Sequence, residues 1–166
     1  SGTLLNDASG FYEMGRYSTA SSTWTALGSL GASSDGSASS GWGMSGDGNT
    51  VVGLGWINAG SAHAINWTAG SGVVDMGSSV MDRSTRANSA NHDGSVIVGW
   101  QDAEDGFRQA AVWRNGVQTV ITDQNGFSVS EASDVDSAGT WVVGGNGPTE
   151  QAWRWSEATG LEELGI

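Results

Sequence analysis

The sequence contains no cysteine, no lysine and a single proline. Without cysteine there is no disulfide, no thiol nucleophile and no thiolate metal site. Without lysine there is no Schiff base and no phosphate-binding P-loop. The glycine-rich run GGNGPTE (144–150) lacks the Gly-Lys-Ser/Thr that such a loop needs. Positive charge is scarce: six arginines stand against 18 Asp and Glu, for a net charge of −12. Such a surface repels phosphate backbones and anionic lipids, which argues against nucleic-acid and membrane partners. No apolar run is long enough for a membrane-spanning helix. The opening SGTLLNDASG has neither the basic nor the apolar stretch of a secretory leader, as expected of a mature or trimmed chain. Only 14% of residues are charged, and Ser, Thr, Gly and Asn supply the polar surface. With cysteine absent, this composition leads to the expectation of a secreted or cell-surface bacterial protein that needs no disulfides.

What is plentiful is glycine (27) and tryptophan (nine), and both recur at fixed intervals. MSGDGNTVVG (44–53), ANHDGSVIVG (90–99) and VDSAGTWVVG (135–144) are three copies of one phrase. Their closing glycines, Gly53, Gly99 and Gly144, are 46 and 45 residues apart. An earlier glycine (Gly48, Gly94, Gly139) follows Asp47, Asp93 and, in the third copy, Ala138. Asp-Gly between apolar runs marks a hairpin turn, because glycine accepts positive φ and aspartate tolerates it. A strand therefore ends near Met44, Ala90 and Val135, and a second begins at Thr50, Val96 and Trp141. Third strands close on Trp67, Trp113 and Trp155. Fourth strands follow in GVVDMG, GVQTVI and GLEELG. FYEMGRYS (11–18) and WTALG (24–28) match the third and fourth strands of a leading half-copy.

Four short antiparallel strands in each copy predict an all-β fold of propeller-type blades, about 3.5 per chain. We divide the single repeat domain, 1–166, into a leading half-blade 1–38 and blades 39–83, 84–126 and 127–166. One blade cannot bury both faces of its sheet, so neighbours must cover it.

The pattern DG-x-VVVG … A-x-x-W … G-x-x-x-LG resembles the bacterial probable extracellular repeat known as the HAF repeat. The resemblance runs from Phe11 to Gly165, with Ala138 and Ile65 departing from the pattern. It implies an extracellular, propeller-like fold and no particular activity.

About 3.5 blades amount to 14 strands, which leaves closure open. Two chains would make seven blades as a homodimer. A compact four-bladed ring could instead use residues 1–10 as the missing strand pair, or the chain could be a fragment of a longer propeller.

Candidate chemistry is sparse. Asp47 and Asp93 read as turn residues, and no metal or other cofactor is expected. Asp134 and Asp136 resemble half a calcium loop, but Gly145 stands where its closing glutamate belongs. Trp67, Trp113 and Trp155 read as packing between blades. Trp42 and Trp141 read as core. Trp56 and Trp100 leave the second strand on one parity, flanked by Asn58, Gln101 and Asp102. Rings at a strand exit beside polar groups could stack on a sugar, so these five residues form a candidate glycan site. The alternative is partly exposed packing. The leading function is therefore an extracellular, non-enzymatic binding or adhesion module. One rival is a polysaccharide hydrolase or lyase using His63, Arg108 and Glu150. Another is a passenger scaffold without a ligand.

Overall fold

The computed structural model describes residues 1–146 and 151–165. Fifteen strands form four antiparallel sheets, each a simple meander, and no helix occurs among the described residues. The leading sheet holds β1 (Gly2–Asn6), β2 (Phe11–Ser18) and β3 (Thr23–Ala26). The second holds β4 (Ser39–Met44), β5 (Val51–Trp56), β6 (Ala62–Thr68) and β7 (Gly72–Asp75). The third holds β8 (Thr85–Ala90), β9 (Val96–Asp102), β10 (Arg108–Arg114) and β11 (Val117–Val120). The fourth holds β12 (Glu131–Val135), β13 (Val142–Asn146), β14 (Gln151–Ser156) and β15 (Gly160–Gly165). The strands fall where the repeat places them. The leading copy, however, has three strands rather than two, because residues 2–6 pair with β2. The described residues thus carry 15 strands instead of 14, and two copies of them would bring eight sheets rather than seven blades.

The anchoring glycines have a steric cause. Each first strand carries a β-bulge, at Trp42, Asn88 and Ser133, immediately after the residue paired with Gly53, Gly99 or Gly144. A Cβ on those glycines would strike the carbonyl oxygens of Ser40, Arg86 and Glu131 respectively. Only a residue without a side chain lets the bulged strand close onto its neighbour.

The Asp-Gly turns behave as their chemistry requires. Gly48, Gly94 and Gly139 have φ of 75°, 75° and 72°, in the left-handed region. Each loop is closed by a side chain at its first position. Ser45 Oγ accepts from Thr50 N (2.9 Å), Asn91 Oδ1 from Val96 N (3.0 Å) and Asp136 Oδ1 from Trp141 N (2.9 Å). Asp136 also accepts from Thr140 N, which explains how the third turn dispenses with an aspartate at Ala138. The turns are joined to one another as well. Asp47 N donates to the His92 carbonyl (2.9 Å), and His92 N donates to the Ser137 carbonyl (3.2 Å).

Cores lie between sheets. Met14 of the first sheet packs with Val51 and Ile65 of the second. Val52 and Ala64 meet Ile97, Ala111 and Trp113 of the third. Val98, Ala110 and Val112 meet Ala132, Val142, Trp153 and Trp155 of the fourth. Alternate residues of one strand therefore serve opposite interfaces, as the period of two demands. The first strands β4, β8 and β12 also pack directly on one another, which puts them on the axial side of the arc.

Candidate binding site on the axial strands

The bulges set up the most distinctive cluster in the molecule. A bulge re-aims a side chain that the strand would otherwise bury. Trp42 is 53% exposed, contrary to its expected place in the core. One position shift in the first strand moved it to the surface. Its Nε1–H donates to Ser40 Oγ (2.9 Å), and its ring lies 3.8 Å from the Arg86 guanidinium of the next blade. Asn88, at the same bulge position one blade on, donates to Glu131 Oε1 and to the Ala132 carbonyl, both at 2.8 Å.

Glu131 gathers the remaining charges. Its Oε1 accepts from Arg86 Nη2 (2.6 Å) and its Oε2 from Arg108 Nη1 (3.0 Å). Arg86 Nε also donates to Asn88 Oδ1 (2.8 Å). Burial pulls Arg86 below the ordinary guanidinium value, and Glu131 opposes that shift. A hydrogen-bonded carboxylate between two guanidiniums offsets their desolvation. Both guanidiniums also cover Trp100, at 4.3 Å for Arg108 and 5.3 Å for Arg86.

The five residues expected to bind a glycan fall in different settings. Trp100 is only 5% exposed and lies beneath Arg86 and Arg108 of its own sheet. Gln101 is 1% exposed, and its Oε1 accepts from Ser79 N, Ser79 Oγ and Gln118 Nε2. Asn58 closes a turn through Gly60 N and Ser61 N, both at 2.8 Å. Trp56 and Asp102 are half-buried at the ends of β5 and β9, on separate blades. Burial raises the Asp102 carboxyl above its ordinary value, with Arg108 opposing.

The residues of the enzymatic alternative are also apart. His63, on the second sheet, pairs with Asp75 at 2.8 Å. Arg108 bridges the third and fourth sheets through Glu131. Glu150 lies outside the described residues. Asp134 accepts from Ser89 Oγ (2.6 Å) and Asp136 closes its turn, so both calcium-loop aspartates are occupied by protein donors. Trp141, expected in the core, lies just before β13, half-buried, 4.6 Å from Arg154.

The axial cluster could have been read from spacing. Ser40, Arg86 and Glu131 stand 13 residues before the anchoring glycines, and Trp42, Asn88 and Ser133 stand 11 before them. Their side-chain types differ from copy to copy, so the common position was hidden.

No protein-family profile matches the chain, and no curated protein matches it. Among solved structures, TolB from Acinetobacter baumannii, a β-propeller, aligns with a TM-score of 0.61 at 14% identity. The alignment covers 98% of this chain and 40% of that one. The fold is of β-propeller type. The chain spans well under half the length of that structure, and the likeness concerns the arrangement of sheets alone.

Proposed function

We propose that the chain is an extracellular, non-enzymatic binding module of the secreted-repeat kind that the HAF resemblance implies. Its ligand face is the axial platform of Trp42, Arg86, Asn88 and Glu131, and its ligand class is glycan. The observation that carries this reading is the fixed, half-exposed Trp42 ring lying on Arg86. An indole held on a guanidinium and tied through Nε1 loses little freedom on binding. Such a ring offers an apolar surface for a sugar, with amide, guanidinium and carboxylate groups at hand for hydroxyls. Extracellular placement is supported by the composition rather than by any contact within the fold.

The test is a glycan array with the parent chain, Trp42→Ala and Trp141→Ala, alongside an assay for polysaccharide breakdown. Binding that survives Trp141→Ala and is lost with Trp42→Ala supports the reading. Turnover of any polysaccharide contradicts it in favour of an enzyme. Silence in both assays contradicts it in favour of a passive scaffold.

A further inference from the structure

Met81, Phe107 and Phe127 are the three most exposed large apolar side chains among the described residues, at 85%, 75% and 72%. They stand on three loops at one end of the sheets: the connection from β7 to β8, the turn between β9 and β10, and the connection from β11 to β12. The middle loop is bonded to both of the others. Arg83 Nη2 donates to the Glu104 carbonyl, and Asp102 N donates to the Ser84 carbonyl (2.8 Å). On the other side Gln109 Nε2 donates to Ser128 Oγ (3.2 Å) and Ala110 N to the Val129 carbonyl (2.6 Å). Phe107 and Phe127 each lie within two residues of the Gln109–Ser128 bond.

The two phenylalanines are presented by one device written twice. AEDGF (103–107) and DQNGF (123–127) each close a five-residue loop, in which the first N–H donates to the phenylalanine carbonyl at 2.8 Å. The glycine N–H donates back to the first carbonyl at 3.0 Å, with φ of 86° at Gly106 and 84° at Gly126. An aspartate holds the phenylalanine's own N–H: Asp105 Oδ1 accepts from Phe107 N (3.0 Å) and Asp123 Oδ1 from Phe127 N (2.9 Å). The backbone that carries each ring is thus ordered before any partner arrives, which lowers the cost of binding.

Neighbouring apolar groups in water mark a surface that another molecule covers. The charge around them selects that molecule. The three loops and their strand ends carry Asp82, Asp102, Glu104, Asp105 and Asp123 against Arg83 and Arg108, and Arg108 is already paired with Glu131. The carboxylates of Asp82 and Glu104 make no hydrogen bond or ion pair among the described residues. A second copy of this chain, at a net charge of −12, or an anionic membrane would meet like charge here.

We infer that this loop face docks a cationic polypeptide segment, whose apolar side chains sit on Met81, Phe107 and Phe127 while its Arg or Lys side chains face Asp82, Glu104 and Asp105. The rings supply most of the affinity, and the carboxylates supply the choice of partner. No residue of the Trp42 platform belongs to this face, so either site can fail without the other.

The probe is a random library of displayed dodecapeptides, selected on the parent chain and counter-selected on the Phe107→Ser, Phe127→Ser double variant. Both rings are mostly in water, so the double variant keeps a thermal midpoint close to the parent's. Recovered peptides should combine net positive charge with large apolar residues and bind the double variant about tenfold or more weakly than the parent. Asp82→Asn with Glu104→Gln should weaken the same peptides and flatten the salt dependence of their Kd, while Trp42→Ala leaves them unchanged. Recovered peptides that are neutral or acidic overturn the inference, and so does a library from which no peptide distinguishes the parent from the double variant. Self-association of the parent that the double variant abolishes also overturns it, because the occupant is then a second copy of the chain.

Discussion

The Arg86 guanidinium lies 3.8 Å from the Trp42 ring on one side and is bonded to Glu131 Oε1 at 2.6 Å on the other. One side chain of the third blade therefore links a residue of the second to a residue of the fourth. The exposed ring and the joint between blades are parts of a single network.

Glu131→Gln tests that joint. The substitution removes the only carboxylate bonded to Arg86 and Arg108 among the described residues and leaves two neighbouring cations facing each other. The pair is partly solvated, so the expected loss is about 1–3 kcal/mol by urea unfolding. Arg108→Gln, which removes the more exposed partner, should cost less. Equal stability of Glu131→Gln and parent would show that the network contributes nothing.

Gly99→Ala tests the bulge. The added methyl would strike the Arg86 carbonyl and push the bulged strand away. The expected cost is about 3 kcal/mol, large for one methyl group. Gly126→Ala, which meets nothing within contact distance although its φ is 84°, should cost less in the same unfolding experiment. Gly99 itself has no positive φ, so a loss no larger than that of Gly126→Ala would refute the steric account.

The turns predict a pH dependence. Asp47 is held down to about 2, first by the hydrogen bond from Ser45 Oγ and then by those from Asn49. Asp93 is lowered by Ser95, and Asp123 chiefly by Phe127 N. A depressed carboxyl stabilises the fold above its unfolded value and loses that contribution as pH falls through its folded value. For Asp47 the window runs from about pH 4 down to about pH 2. Asp102 acts in the opposite sense, since burial raises it and acid relieves its cost. The thermal midpoint of the chain should fall across the window, and that of Asp47→Asn should fall less steeply. Parallel profiles would contradict the assignment.

Local chemistry made most of the fold readable. Apolar alternation, Asp-Gly turns and the tryptophans that close β6, β10 and β14 each act within a few residues, so sequence carries them directly. The strand Gly2–Asn6 figures only in the four-bladed alternative, within the strand pair assigned to residues 1–10, because no Asp-Gly turn marks that stretch. The site was less readable, for two physical reasons. Bulges shift strand parity by one, which is why Trp42 emerges at the surface although alternation buries it. The contacts of Arg86 and Asn88 with Glu131 reach across 45 and 43 residues, from one copy to the next, and no local pattern encodes how copies stack. Trp100 satisfied the pattern of a binding ring, yet two arginines from the strands on either side of it cover it.

The central claim is that Trp42 forms the ligand-binding face while Trp100 is structural. Binding to glycans on the array and urea unfolding, measured together on Trp42→Ala and Trp100→Ala, test it most directly. Trp42→Ala should abolish glycan binding and cost little stability, about 1 kcal/mol, because half of its surface is already in water. Trp100→Ala should cost about 3–5 kcal/mol. Full glycan binding by a folded Trp42→Ala chain would contradict the account.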